Sequence, residues 1–191
     1  MGGWAVVHRA APPPEVFEGL KLDTPNISGR MDNLRAAILR PQLPLLADRV
    51  ARWEARYRRL EAGLAGTPGL VLTTRPEAET FVGSSFQFRL PDWSPARVGA
   101  FLSRTLARGV ELKWFGAADP VAFTSRYQHW AYADPQHLPK TDAILAGLID
   151  MRVPLTFSLE DCDQIARIIR AEALAVGQGP EPEAVDLPLV Q

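Results

Sequence analysis

Three lysines, three histidines and one cysteine are the side chains of this sequence best suited to act as nucleophiles, bases or metal ligands. Lys113 lies in Val110-Glu111-Leu112-Lys113-Trp114-Phe115, where the neighbouring aromatics could strip water from an ammonium and turn it into a nucleophile. An edge-strand lysine with its charge in water fits the same residues. His129 and His137 are separated by Pro135, and His8 is remote, so no histidine pair has the one-turn spacing of a helical metal site. No metal site is predicted. Cys162 falls in the first turn of a predicted helix, where the dipole favours a thiolate, but Asp161 and Asp163 oppose that effect, and a structural role is expected. A single cysteine excludes an internal disulfide framework and fits a reducing, cytoplasmic setting. Gly83-Ser84-Ser85 sits inside a predicted strand, which is the wrong place for a hydrolase nucleophile, and phosphate-cradling Gly-rich motifs are missing.

One further segment has chemical potential. In Ser28-Gly29-Arg30-Met31-Asp32-Asn33-Leu34, a short polar turn with one arginine enters a helix, and free N–H groups together with a guanidinium can hold an anion. An ordinary helix cap explains the same residues equally well.

The elements that position these groups follow from periodicity. Residues 1–30 form a lead-in that Pro12-Pro13-Pro14 keeps extended. From 31 to 66 the apolar residues Leu39, Leu43, Leu46, Val50, Trp53, Tyr57, Leu60 and Leu64 form one stripe of a long helix, which Pro41 and Pro44 should kink. Its other face is rich in arginine with Asp48, Glu54 and Glu61 interleaved, the pattern of a solvated or subunit-contacting face. Residues 67–176 read as an α+β unit. Strands are expected at Leu70–Leu72, Phe81–Leu90 and Val110–Phe115, with a short extended piece at Val153-Pro154-Leu155. Helices are expected after the Ser94-Pro95 cap, around Ile144–Ile149, and after Ser158, which has Asp161 three residues on. Between Gly116 and Pro139 a long packed loop is expected, and residues 177–191 read as a disordered tail.

The whole chain has 191 residues and a formal net charge of −1, with 47% hydrophobic and 23% charged residues. Such a balance excludes wholesale disorder and gives no global field for nucleic acid or an acidic membrane. No apolar run reaches the roughly 18 residues of a membrane span. Neither nucleic acid nor membrane is an expected partner.

The segment from Ser28 to Ala37 resembles the Asn-x-Arg-Met-x-x-Leu-x-Ala-Ala stretch of the DegT/StrS-type sugar aminotransferases. The similarity continues in order through Gln42-Leu43, Phe86-Gln87-Phe88-Arg89-Leu90, Arg108-Gly109-Val110, and Val153-Pro154-Leu155 with Leu159 to Asp161. The resemblance implies the C-terminal portion of a fold-type-I enzyme dependent on pyridoxal phosphate (PLP): the end of the large domain, a linking helix and the small domain. It implies that Arg30 and Ser28, with Asn26 nearby, contact the cofactor across a dimer interface. Ser28 stands where the family has asparagine. The family's His-Tyr pair appears as Trp114-Phe115, which leaves Lys113 and Trp114 as expected substrate contacts and the acceptor open.

The family's Schiff-base lysine belongs to the large domain. None of Lys21, Lys113 and Lys140 has its Ser-x-x-Lys setting, so no catalytic residue is assigned to this chain. By resemblance the expected function is amino transfer from glutamate or glutamine to a keto-sugar or similar acceptor. It would need a homodimer or a complementary large-domain chain and would be absent from this chain alone. The rival reading is a non-catalytic interaction module that docks through the linking helix.

Overall fold

Pro41 and Pro44 divide the long apolar stripe into pieces that point in different directions. The computed structural model describes residues 31–120 and 126–182. Asn33–Leu39 forms helix α1, capped by Asp32, whose carboxylate accepts the Arg35 N–H at 2.7 Å. Arg40–Leu45 tightens into a 3₁₀ turn, and Leu46–Leu64 continues as helix α2. A 3₁₀ turn advances about 120° per residue against 100° in an α-helix, so six residues rotate the stripe by roughly 120°. The expected single face is therefore corrected. Tyr57, Leu60 and Leu64 are buried, whereas Leu39, Leu43 and Leu46 stay exposed along with Leu34 and Ile38.

Four strands form one antiparallel sheet. They are β1 (Val71–Leu72), β2 (Ser85–Arg89), β3 (Lys113–Trp114) and β4 (Leu148–Arg152), in the order β1-β2-β4-β3. β2 and β4 pair over five residues, from Ser85↔Arg152 to Arg89↔Leu148. Helices α3 (Pro95–Ala107), α4 (Pro139–Ala146) and α5 (Leu159–Gln178), with a 3₁₀ turn at Tyr127–His129, complete the described elements. α2 packs on α5, and α5 on α3.

Alternation gives the sheet two faces. Phe86, Phe88, Ile149 and Met151 point to the helices and are buried with Tyr57, Leu60, Phe101 and Ile169. Their rings run as a chain, Tyr57 to Phe86 at 4.9 Å, Phe86 to Phe88 at 6.3 Å, and Phe88 to Phe101 at 6.4 Å. Full burial of each of these side chains contributes about 1.5–3 kcal/mol. The other face carries Ser85, Gln87, Arg89, Lys113, Asp150 and Arg152 in register.

Local caps come out as read. The Ser94 hydroxyl accepts the Arg97 N–H at 3.1 Å with Pro95 opening α3, and Ser158 and Asp161 exchange bonds as a capping box. Gly109, at φ +82, ends the α3 region in a conformation that disfavours any side chain.

Strand boundaries differ from the expectation for tertiary reasons. Phe81 leaves the sheet and packs edge-on against Tyr57 at 4.9 Å, which shortens the expected Phe81–Leu90 strand. Val110 is buried and its N–H bonds Thr105 O at 2.9 Å, so the chain joins β4 only at Lys113. Leu148 and Ile149, expected in a helix, belong to strand β4, because α4 stops at Gly147 and the sheet takes the apolar run that follows. The helix α5 reaches Gln178, past the start of the expected tail, and Glu181 accepts bonds from Arg97 Nε at 2.7 Å and from the Ser94 hydroxyl. Residues 183–191 lie outside the described residues.

Candidate functional site

Asn26, Ser28 and Arg30, the expected cofactor contacts, lie outside the described residues. Lys113 and Trp114 are adjacent on β3 and, by alternation, serve opposite faces. Trp114 pairs with Ile149 on the core face and donates its indole N–H to Ala146 O at 2.8 Å. Its polar handle is engaged within the fold, and its ring packs against the buried core. Lys113 stands in register with Asp150 on the polar face.

Asp150 is a buried polar residue that sequence reading missed. It is a buried carboxylate, 8% exposed, in the middle of the sheet, and it accepts a hydrogen bond from the Ser85 hydroxyl. Gln87 pairs with it from β2 and Lys113 from β3, so one polar row crosses three strands. The signal was the alternation of Leu148-Ile149-Asp150-Met151-Arg152, which a helical reading of Ile144–Ile149 hides.

Beyond Asp150 the β3 ladder stops, and the chain from Gly109 to Leu112 separates from β4. A cleft of about 390 Å³ opens there, lined by Gly109, Val110, Glu111, Lys113, Met151, Arg152, Pro154, Phe157 and Ile165. Its wall is anchored from behind by α2. Trp53 Nε1 donates to Val153 O at 2.9 Å, and Arg56 donates to Phe157 O at 2.6 Å and Leu155 O at 3.1 Å.

The remaining reactive residues are absorbed by structure. Cys162 is fully buried, and burial pushes its thiol above the usual range, with Arg56 opposing. The His129 ring accepts the Arg126 N–H at Nδ1 (3.2 Å), so its Nε2 carries the proton donated to Ala118 O at 2.8 Å. No His, Cys, Asp and Glu cluster among the described residues is arranged to hold a metal ion. The arginine face of α2 is used internally: Arg59 grips Asp163 through two bonds of 2.6 and 2.8 Å, and Arg58 bonds Glu61 at 2.9 Å. On α5, Glu172 is clamped by Arg104 at 2.6 Å and Arg108 at 2.8 Å. Burial works against its charge, but the two arginine hydrogen bonds outweigh it and hold the carboxyl below its ordinary range. No helix among the described residues is long and apolar enough to cross a membrane.

The antiparallel sheet with one helix-covered face is a fold shared with part of solved aminotransferases. Residues 15–170 match the DegT/DnrJ/EryC1/StrS aminotransferase family, and the chain belongs to that family. Its fold is similar to that of the aminotransferase TlmJ from Streptoalloteichus hindustanus (TM-score 0.63, 20% identity, 74% of this chain and 36% of that one). It is also similar to 3-amino-5-hydroxybenzoic acid synthase (0.60, 22%, 78% and 41%). A third similar structure is DesV from S. venezuelae, solved with a ketimine intermediate (0.58, 21%, 84% and 45%). The chain thus spans less than half the length of each of these proteins. No curated protein matches the sequence.

Proposed function

We propose that the chain acts as the small-domain part of a PLP-dependent aminotransferase, with residues 31–66 as the linking segment and residues 67–176 as the domain itself. Transfer would run from glutamate or glutamine to a keto-sugar or similar keto acceptor. The observation that carries this reading is the match over residues 15–170, with a fold that covers 36–45% of the longer aminotransferases.

PLP supplies the electron sink for amino-group transfer, and the protein supplies binding, orientation and a lysine nucleophile. The described residues do not form a site that fits this group. Lys113 faces the cleft from a two-residue strand, Lys140 opens α4 at the surface, and no anion cradle accompanies either. Arg30 and Ser28, with Asn26, would reach the cofactor phosphate of a neighbouring subunit, and Lys113 with Trp114 would meet the substrate.

The exposed leucines of the linking segment support a second polypeptide or a further domain as the partner. Seven large apolar residues from Met31 to Leu46 are 45–71% exposed, more apolar surface than a stable soluble arm leaves open. A helix of seven residues is also too short to persist unsupported in water. A homodimer or a complementary large-domain chain would cover it.

Borohydride reduction in the presence of PLP, followed by peptide mapping of the protein purified from its own cells, tests the reading. The expected label falls on a lysine of a co-purifying polypeptide or of an extension of this chain. A label on Lys113, or none anywhere, overturns it.

A further inference from the structure

Ahead of Lys113 the chain has the pattern of a strand without its pairing. Val110 is buried and Leu112 and Trp114 pack against the core, while Glu111 is exposed, so the alternation of β3 begins at Val110. Only Lys113 and Trp114 pair with β4. The Val153 N–H bonds Ser84 O at 2.9 Å and the Phe115 N–H bonds Leu148 O at 3.0 Å, so residues 148, 150 and 152 turn their main-chain groups away from β2. Continuing the Lys113↔Asp150 register sets Glu111 opposite Arg152, as a pair able to exchange both main-chain bonds.

Little has to move for that pair to form. Lys113 and Trp114 are held in the ladder, where Trp114 Nε1 donates to Ala146 O at 2.8 Å, and the Val110 N–H is held by Thr105 O at 2.9 Å. In the continued register Val110 turns its N–H away from β4, so this bond survives closure. Only Glu111 and Leu112 shift, with Gly109 at φ +82 behind them. The side chains are matched as well. Glu111 and Arg152 line the cleft with opposite charges, and neither makes a side-chain ion pair or hydrogen bond among the described residues. Lys113 has an interaction of its own and stands across from Asp150, so closure does not draw on its charge. Phe157 and Ile165, half-buried on the cleft wall, lose further contact with water when the gap shuts.

We propose that residues 109–112 act as a strap that shuts the cleft by adding the Glu111↔Arg152 pair to the β3–β4 ladder. The open and closed forms differ by one main-chain pair and one ion pair, a gap small enough for both to be populated. Closure stiffens β3, which on the aminotransferase reading presents Lys113 and Trp114 to the substrate. Only that consequence rests on the reading, since the strap itself needs neither cofactor nor a second polypeptide.

The test is amide hydrogen exchange and NOE spectroscopy on the ¹⁵N-labelled full chain, with no ligand added. Closure is expected to give an amide-to-amide NOE between Glu111 and Arg152 and to slow exchange of the Arg152 amide about tenfold relative to an unbonded one. Glu111→Lys and Arg152→Glu each set like charges face to face and should remove most of that protection. The double variant, with the two charges exchanged, should restore it to within about twofold. An Arg152 amide that exchanges at the unbonded rate in the wild-type chain overturns the proposal, as does equal protection in wild type and variants alike. If a single variant does not fold, the wild-type NOE and exchange rate decide alone. Neither measurement involves PLP, so a failure here is separate from a failure of the aminotransferase reading.

Discussion

Gly63 on α2 lies against Ala166 on α5 so closely that a Cβ at Gly63 would stand 2.6 Å from the Ala166 Cβ. Real side-chain carbons do not approach so near, so any substitution must part the two helices. Gly63→Ala gains up to about 1 kcal/mol of helix propensity, but overpacking costs about 1–3 kcal/mol, and a net loss follows. Gly63→Leu should lose more. Urea denaturation midpoints of the two variants measure this order, and a stabilised Gly63→Ala would show that the helices can move apart freely.

Glu172 provides a pH signature. Its carboxyl is held below the ordinary range when folded, so its contribution is complete above the unfolded value of about 4.5 and is lost as pH falls through the lower folded value. Glu172→Gln should cost about 1–3 kcal/mol at pH 7 by leaving Arg104 and Arg108 without their partner. The difference between variant and wild type should shrink as the pH falls below about 4.5. Thermal melts across that range read it, and a pH-independent difference would contradict the ion-pair origin.

Trp53 ties α2 to the β4–α5 connection through one hydrogen bond to Val153 O. Trp53→Phe keeps much of the apolar contact and removes that bond, with an expected loss of about 1 kcal/mol. Faster amide exchange should appear between residues 153 and 158 before it appears in β2. Uniform acceleration across the domain would show that the bond has no local role.

Leu34 and Leu43 are 71% and 66% exposed. Leu34→Gln with Leu43→Gln should leave the unfolding free energy within about 0.5 kcal/mol, as for ordinary surface changes, while reducing self-association in sedimentation experiments. A large drop in stability would mean that these residues are packed in the free chain.

Cys162 should resist a water-soluble thiol reagent until the domain unfolds, since burial both shields the sulfur and raises its pKa. Modification at the rate of a free thiol in native buffer would contradict the packing of α5 on α2.

What the sequence made legible was mostly local. Ser94 with Pro95, Ser158 with Asp161, and Gly109 act through neighbours within three or four residues, so residue type and spacing suffice to place them. Family motifs also stand out, because their order along the chain survives even where each alone is weak. The sheet was less legible. Leu148 and Ile149 have apolar character that suits a helix or a strand, and only their pairing with Arg89 and Phe88 decides between them. Asp150 was hidden for the same reason. Nor could periodicity alone show that the prolines turn Leu39, Leu43 and Leu46 away from Tyr57, since the rotation arises from the change in helix type at Arg40–Leu45. The bonds from Trp53 and Arg56 to residues 153–157 join positions about a hundred apart, which no local window contains.

Those bonds give α2 a mechanical character. With Tyr57, Leu60 and Leu64 sunk in the core and two side chains pinned to the β4–α5 connection, the helix and sheet behave as a single handle. The Arg40–Leu45 turn, with no buried residue and with Pro44 lacking an amide hydrogen, is the weakest joint of that handle. Torque applied to residues 31–39 would bend the chain at this joint before it disturbed the ring stack beneath the sheet, leaving α1 free to be reoriented by whatever it grips.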